Sequence, residues 1–81
     1  MSLTARVFVT LKPGVLDPQG EAVRHALGVM GFGGVDGVRQ GKMLEIALQD
    51  DDHDAARARV AEMCERLLAN TVIEDYRIEL S

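Results

Sequence analysis

Three features of this 81-residue sequence predict an α+β fold of order β-α-β-β-α-β. An apolar alternation of period two opens the chain, two stretches of helical period each follow aspartates suited to capping, and a β-branched and aromatic run closes it. That order is the split βαβ arrangement of ferredoxin-like topology: an antiparallel sheet with two helices on one face.

The first strand is read from "ARVFVTL", residues 5 to 11, with Val7, Val9 and Leu11 on one side and Arg6, Phe8 and Thr10 on the other. Asp17 then suits an N-cap, because its carboxylate can accept from the free amides of a first helical turn, and Pro18 suits N1, where no amide hydrogen is required. Glu21 adds negative charge near the positive end of the helix dipole. Val23, Ala26, Leu27 and Met30 form one apolar stripe, and Gly31 is the expected stop. "GFGGVDGVRQGKMLEIAL" reads as a Gly-rich link, a short strand at Val35 to Arg39, a tight turn at Gln40-Gly41 and a second strand from Lys42 to Leu48. In that hairpin Gly41 would supply positive φ. Asp50, Asp51 and Asp52 offer alternative caps for a second helix whose apolar face is Ala56, Val60, Met63, Cys64 and Leu67. "TVIEDYRIEL" is expected to be the fourth strand.

Composition fits a single globular domain over residues 1 to 81, with 47% hydrophobic and 27% charged residues. Two Phe and one Tyr leave the core to aliphatic side chains, and a core this small is often completed by oligomerisation, so a homodimer or higher homo-oligomer is expected. The bare sheet face would carry Phe8, Met43 and Ala47 among Arg6, Thr10 and Glu45, an expected dimer face. "MSLTARVFVT" has neither a charged n-region nor a long apolar run, so a cytoplasmic location away from membranes is expected. A net charge of -4 with dispersed basic residues gives no support to a nucleic-acid partner.

No catalytic constellation emerges from the residues. His25 and His53 stand apart with one cysteine, which leaves no zinc or copper ligand set, and no cofactor or metal is assigned to this chain. Cys64 falls on an apolar helix face, where a free cysteine acts as a small hydrophobe. "GFGGVDG" lacks the dinucleotide fingerprint and leaves a helix for a strand, the wrong direction. The Pro-Gly and Asp-Pro junction at residues 10 to 23 runs from strand to helix but has no Walker ending, and Asp17 competes there with any anion. Arg39 and Lys42 would flank the hairpin turn as solvated charges. A stacking surface for RNA would need rings where Met43 and Ala47 stand.

Two strings carry a resemblance. V-T-L-K-P-G-V-L-D-P-Q-G, residues 9 to 20, and G-F-x-G-V-x-x-V-R-x-G-K, residues 31 to 42, resemble in order and spacing the PurS family, the small subunit of phosphoribosylformylglycinamidine synthase. The likeness runs through "VIEDYRIEL" and covers nearly the whole chain; Thr71, where many members have Pro, and the loop from Leu48 to Asp54 depart from it. The resemblance implies a non-catalytic, dimeric subunit that joins a glutaminase to a synthetase using ATP and magnesium, so that ammonia from glutamine reaches formylglycinamide ribonucleotide. It implies no catalytic residue in this chain. Lys12, Pro13, Gly14, Asp17, Pro18, Arg39, Gly41 and Lys42 are the candidate partner-interface residues. A small-molecule-sensing module of ferredoxin-like topology is the alternative, and an acylphosphatase-type enzyme is disfavoured because no glycine-rich loop leading into an arginine follows the first strand.

Overall fold

The computed structural model describes residues 3 to 81. In chain order it contains β1 (Leu3–Leu11), α1 (Pro18–Val29), β2 (Gly41–Leu48), α2 (His53–Met63), one π-helical turn (Cys64–Leu68) and β3 (Glu74–Leu80). The architecture is β-α-β-α-β, a three-stranded antiparallel sheet in the order β2-β1-β3.

Alternation in β1 sets the two faces of the sheet. Leu3, Ala5, Val7 and Val9 are buried and meet Leu48 of β2 with Ala56, Val60 and Cys64 of the second helical segment. Leu44, Ile46, Tyr76, Ile78 and Leu80 pack around them at partial burial. On the opposite face Phe8 is paired in register with Met43 and Arg77, and the Arg77 guanidinium lies 4.3 Å from the Phe8 ring centre. Arg6 and Glu45 form a 3.4 Å ion pair across the same face, and Arg77 pairs with Glu79. Phe8, Met43 and Ala47 thus share the bare face, set among one charged pair across strands and one along β3.

The predicted strand at Val35 to Arg39 is absent, and so is the hairpin turn at Gln40-Gly41. Residues 35 to 40 lie outside the ladder; the Arg39 side chain reaches loop carbonyls and the Gln40 amide donates to Asp17 instead of to a strand. Gly41 is not among the positive-φ residues; it opens β2 opposite Thr10, where a Cβ would fall 2.5 Å from the Val9 carbonyl oxygen. Glycine is needed there for close approach instead of turn conformation.

The two helices also part from the expected pair on one face. α2 packs on the sheet, whereas α1 has no extensive contact with any strand or with α2. Its stripe is solvent-facing, with Val23 and Met30 exposed and Leu27 only half-buried. The ends of α1 match the sequence reading. Asp17 caps the first turn, and Gly31 at φ +96° completes a Schellman closure in which Phe32 N donates to Leu27 O and Gly31 N to Gly28 O.

Asp52 is the member of the acidic run that caps α2, accepting from Asp54 N at 3.0 Å. The face predicted for this helix holds through Cys64 and then shifts. The π turn, closed by Ala69 N on Cys64 O, inserts one extra residue, so Leu68 packs on the core and Leu67 is 83% exposed. β3 begins at Glu74, three residues later than the predicted start, because Asn70 organises residues 71 to 73 into a turn. Its carbonyl accepts from Ile73 N and Glu74 N, and its side chain accepts from Val72 N.

Candidate functional site

The β1–α1 loop, the start of α1 and the entry to β2 meet at one end of the sheet, where most of the candidate interface residues gather. Pro13 and Gly14 form an exposed tip, with Gly14 at φ +89°, and Val15 N closes the turn on Lys12 O at 3.0 Å. Lys12 holds the neighbouring turn through its amide, 2.8 Å from Ile73 O, while its ammonium stands 3.9 Å from Asp75.

Arg39 approaches this loop from the segment before β2. Its Nη1 donates to Val15 O at 2.9 Å, and its Nη2 donates to Lys12 O at 2.9 Å and Leu11 O at 3.3 Å. A guanidinium is suited to this work because its fork of donors meets several carbonyls at once. The sequence reading treated Arg39 as a solvated hairpin charge; its donors instead cross-link the chain to itself.

Asp17 is the one buried charged residue among the described residues. Its Oδ1 accepts from Gly20 N at 2.9 Å, the expected cap bond, and its Oδ2 accepts from Gln40 N at 2.7 Å. The Gln40 amide foremost, then the Gly20 amide and the nearby Arg39 charge, hold the carboxyl below its ordinary value, against burial, which pushes it up. Gln40 also donates through Nε2 to Gln19 Oε1 at 2.9 Å. Gly20 completes the junction: a Cβ there would lie 2.3 Å from Val38 O, so only glycine lets the helix start press against the returning chain. Gln19, Gly20 and Gln40 were not among the candidate interface residues read from sequence. A glycine at N3 of a helix, where it costs stability relative to alanine, was the available signal for Gly20.

Pro18 is exposed at N1, and Lys42 is exposed on β2 opposite Val9. An open hollow of about 190 Å³ lies beside Lys42, lined in part by Asp17, Gln19, Gln40, Lys42 and Glu74. Two carboxylates facing one ammonium give it the wrong charge balance for a phosphate. Phe8, Met43 and Ala47 belong to the bare sheet face and do not enter this junction. Cys64 is fully buried, and that burial raises its thiol above the ordinary value, unlike an activated nucleophile. No helix among the described residues is long and apolar enough to cross a membrane.

Comparison with known proteins joins these residues to a family. The family model described as PurS, phosphoribosylformylglycinamidine (FGAM) synthase, matches residues 4–81. The phosphoribosylformylglycinamidine synthase subunit PurS of Bacillus subtilis is 55% identical over 75 residues, which cover 93% of this chain and 88% of that protein. The corresponding subunit of Synechocystis is 46% identical over 80 residues, covering 99% of this chain and 80% of the relative. Among solved structures, PurS of Methanocaldococcus jannaschii superposes with a TM-score of 0.87 at 39% identity, covering 98% of this chain and 95% of that one. A chain of the PurLQS structure from Thermotoga maritima gives 0.90 at 26% identity, covering 100% of this chain and 99% of its own. A match spanning both signature strings, the core strands and the capped junction between them shows that this chain belongs to the PurS family of phosphoribosylformylglycinamidine synthase subunits.

Proposed function

We propose that this chain is the assembly subunit of phosphoribosylformylglycinamidine synthase in purine biosynthesis, acting in the cytoplasm without catalytic side chains of its own. In this reading it joins a glutaminase to a synthetase so that ammonia passes to formylglycinamide ribonucleotide without escaping to solvent. ATP and magnesium would be held by the synthetase partner. The observation that carries the reading is the full-length likeness to a chain of PurLQS. A tagged form of this chain should retain synthetase and glutaminase together when the three are mixed. Retention of neither would contradict the joining role. Lys42→Glu that left retention unchanged would remove Lys42 from the partner interface.

The proposed working form is a homodimer. Exposed Val23, Val29 and Met30 on α1 support it, as does a radius of gyration of 16.1 Å where about 12 Å suits a compact chain of this length. The bare face bearing Phe8, Met43 and Ala47 is the other proposed self-association surface. Light scattering at micromolar concentration should give the dimer mass, and a monomer would exclude it. Dissociation by Met30→Glu but not Met43→Glu would assign the contact to α1, and the reverse would assign it to the sheet. A small-molecule-sensing module is the second reading, supported by the polar hollow beside Lys42.

A further inference from the structure

We infer that Asp17 and Arg39 are positioning residues that lock the direction in which α1 leaves the sheet, so that both act within this chain and not as direct contacts to a partner. Helix direction in a small domain is usually set by burial of an apolar stripe. Within its own chain α1 lacks that constraint, since it has no extensive contact with the strands or with α2 and its stripe faces outward. The six loop residues between β1 and α1 would leave the helix axis free to pivot about soft backbone dihedrals.

Two polar clamps remove that freedom. Arg39 bridges Leu11 O, Lys12 O and Val15 O, which ties the end of β1 to the middle of the loop. Asp17 ties the helix start to the segment just before β2, with each carboxylate oxygen taken by a backbone amide of this chain, Gly20 N at 2.9 Å and Gln40 N at 2.7 Å. The missing Cβ of Gly20 lets Val38 O approach closely enough for both bonds to form. Because Arg39 and Gln40 are adjacent, one short segment closes both clamps. A lysine at 39 offers no planar fork and cannot serve three carbonyls in this geometry. The consequence for assembly rests on the function proposed above; the lock itself does not.

The test uses the full chain as wild type, Asp17→Asn and Arg39→Lys. Amide exchange at Gly20 and Gln40 and residual dipolar couplings for α1 and the sheet are recorded on each, and capture of synthetase and glutaminase is then measured. In both variants those amides should exchange at least about tenfold faster. The α1 couplings should average toward zero while the β1 amides of Val7 and Val9 stay protected, and capture should weaken. Unchanged exchange and unchanged α1 alignment in the free variants would overturn the lock, and weakened capture on that background would make the two residues partner contacts. A loosened helix with full capture would overturn the dependence of assembly on the lock. Should Asp17→Asn lose its sheet, Arg39→Lys, which keeps the charge, decides the matter. Failure of wild type to capture either partner would count against the proposed function alone, because exchange and couplings judge the lock without partners.

Discussion

Asp17 concentrates the chemistry of the junction in one carboxylate. The groups facing it are the Gln40 and Gly20 amides and the Arg39 charge, with Lys42 and Glu74 across the hollow. Since the folded state holds its pKa below 3.8, its contribution to stability is complete above the unfolded carboxylate value and disappears as pH falls through the lower folded one. Wild type should therefore lose thermal stability below about pH 4. Asp17→Asn should start lower at neutral pH and decline less steeply. Thermal melts from pH 6 to pH 2 check this, and parallel curves would remove Asp17 as the source. Glu21, lowered chiefly by its bond to Arg24, adds an acid dependence of the same sign but sits in an exposed pair of small worth. The cap on Gly20 was legible in the Asp-Pro pair because a cap is local. The bond to Gln40 was not, because its partner lies 23 residues along the chain. Arg39 was misread for the same reason: sequence gives its charge, not which carbonyls fold back to it.

At the scale of elements, local signals found β1, the ends of α1 and the start of α2. They failed where the partner surface decided the outcome. Val35 to Arg39 has β-branched residues at 35 and 38, yet a strand needs a neighbour, and this stretch pairs with none of the three strands. The stripe of α1 has sound helical spacing, but spacing does not say whether the surface that covers it belongs to the same chain. The π turn is the third case, since no residue from Cys64 to Leu68 announces an extra residue in the turn. It yields a paired prediction. Leu68→Ala should destabilise by about 1 to 2 kcal/mol because it removes part-buried packing, and Leu67→Ala should stay within about 0.5 kcal/mol. Urea unfolding of both variants measures the difference, and the opposite order would mean that the helix runs on without the wide turn.

The whole molecule measures 48 × 26 × 15 Å, a long and thin form for so short a chain. Its core occupies the α2 side of the sheet, while α1 stands off with Val23, Val29, Met30 and the following Phe32 exposed. A chain shaped in this way leaves apolar surface on α1 exposed, which suits the assembly role proposed above. The signature strings made the family legible in sequence, and the clamped junction gives much of the first of them a physical role in aiming α1. The most direct measurement of the central claim is glutamine-dependent amidine formation by synthetase and glutaminase, with and without this chain. Assembly by this subunit predicts that turnover with glutamine requires the chain, whereas turnover with added ammonia depends on it much less. Equal glutamine-dependent rates in its presence and absence would contradict the claim.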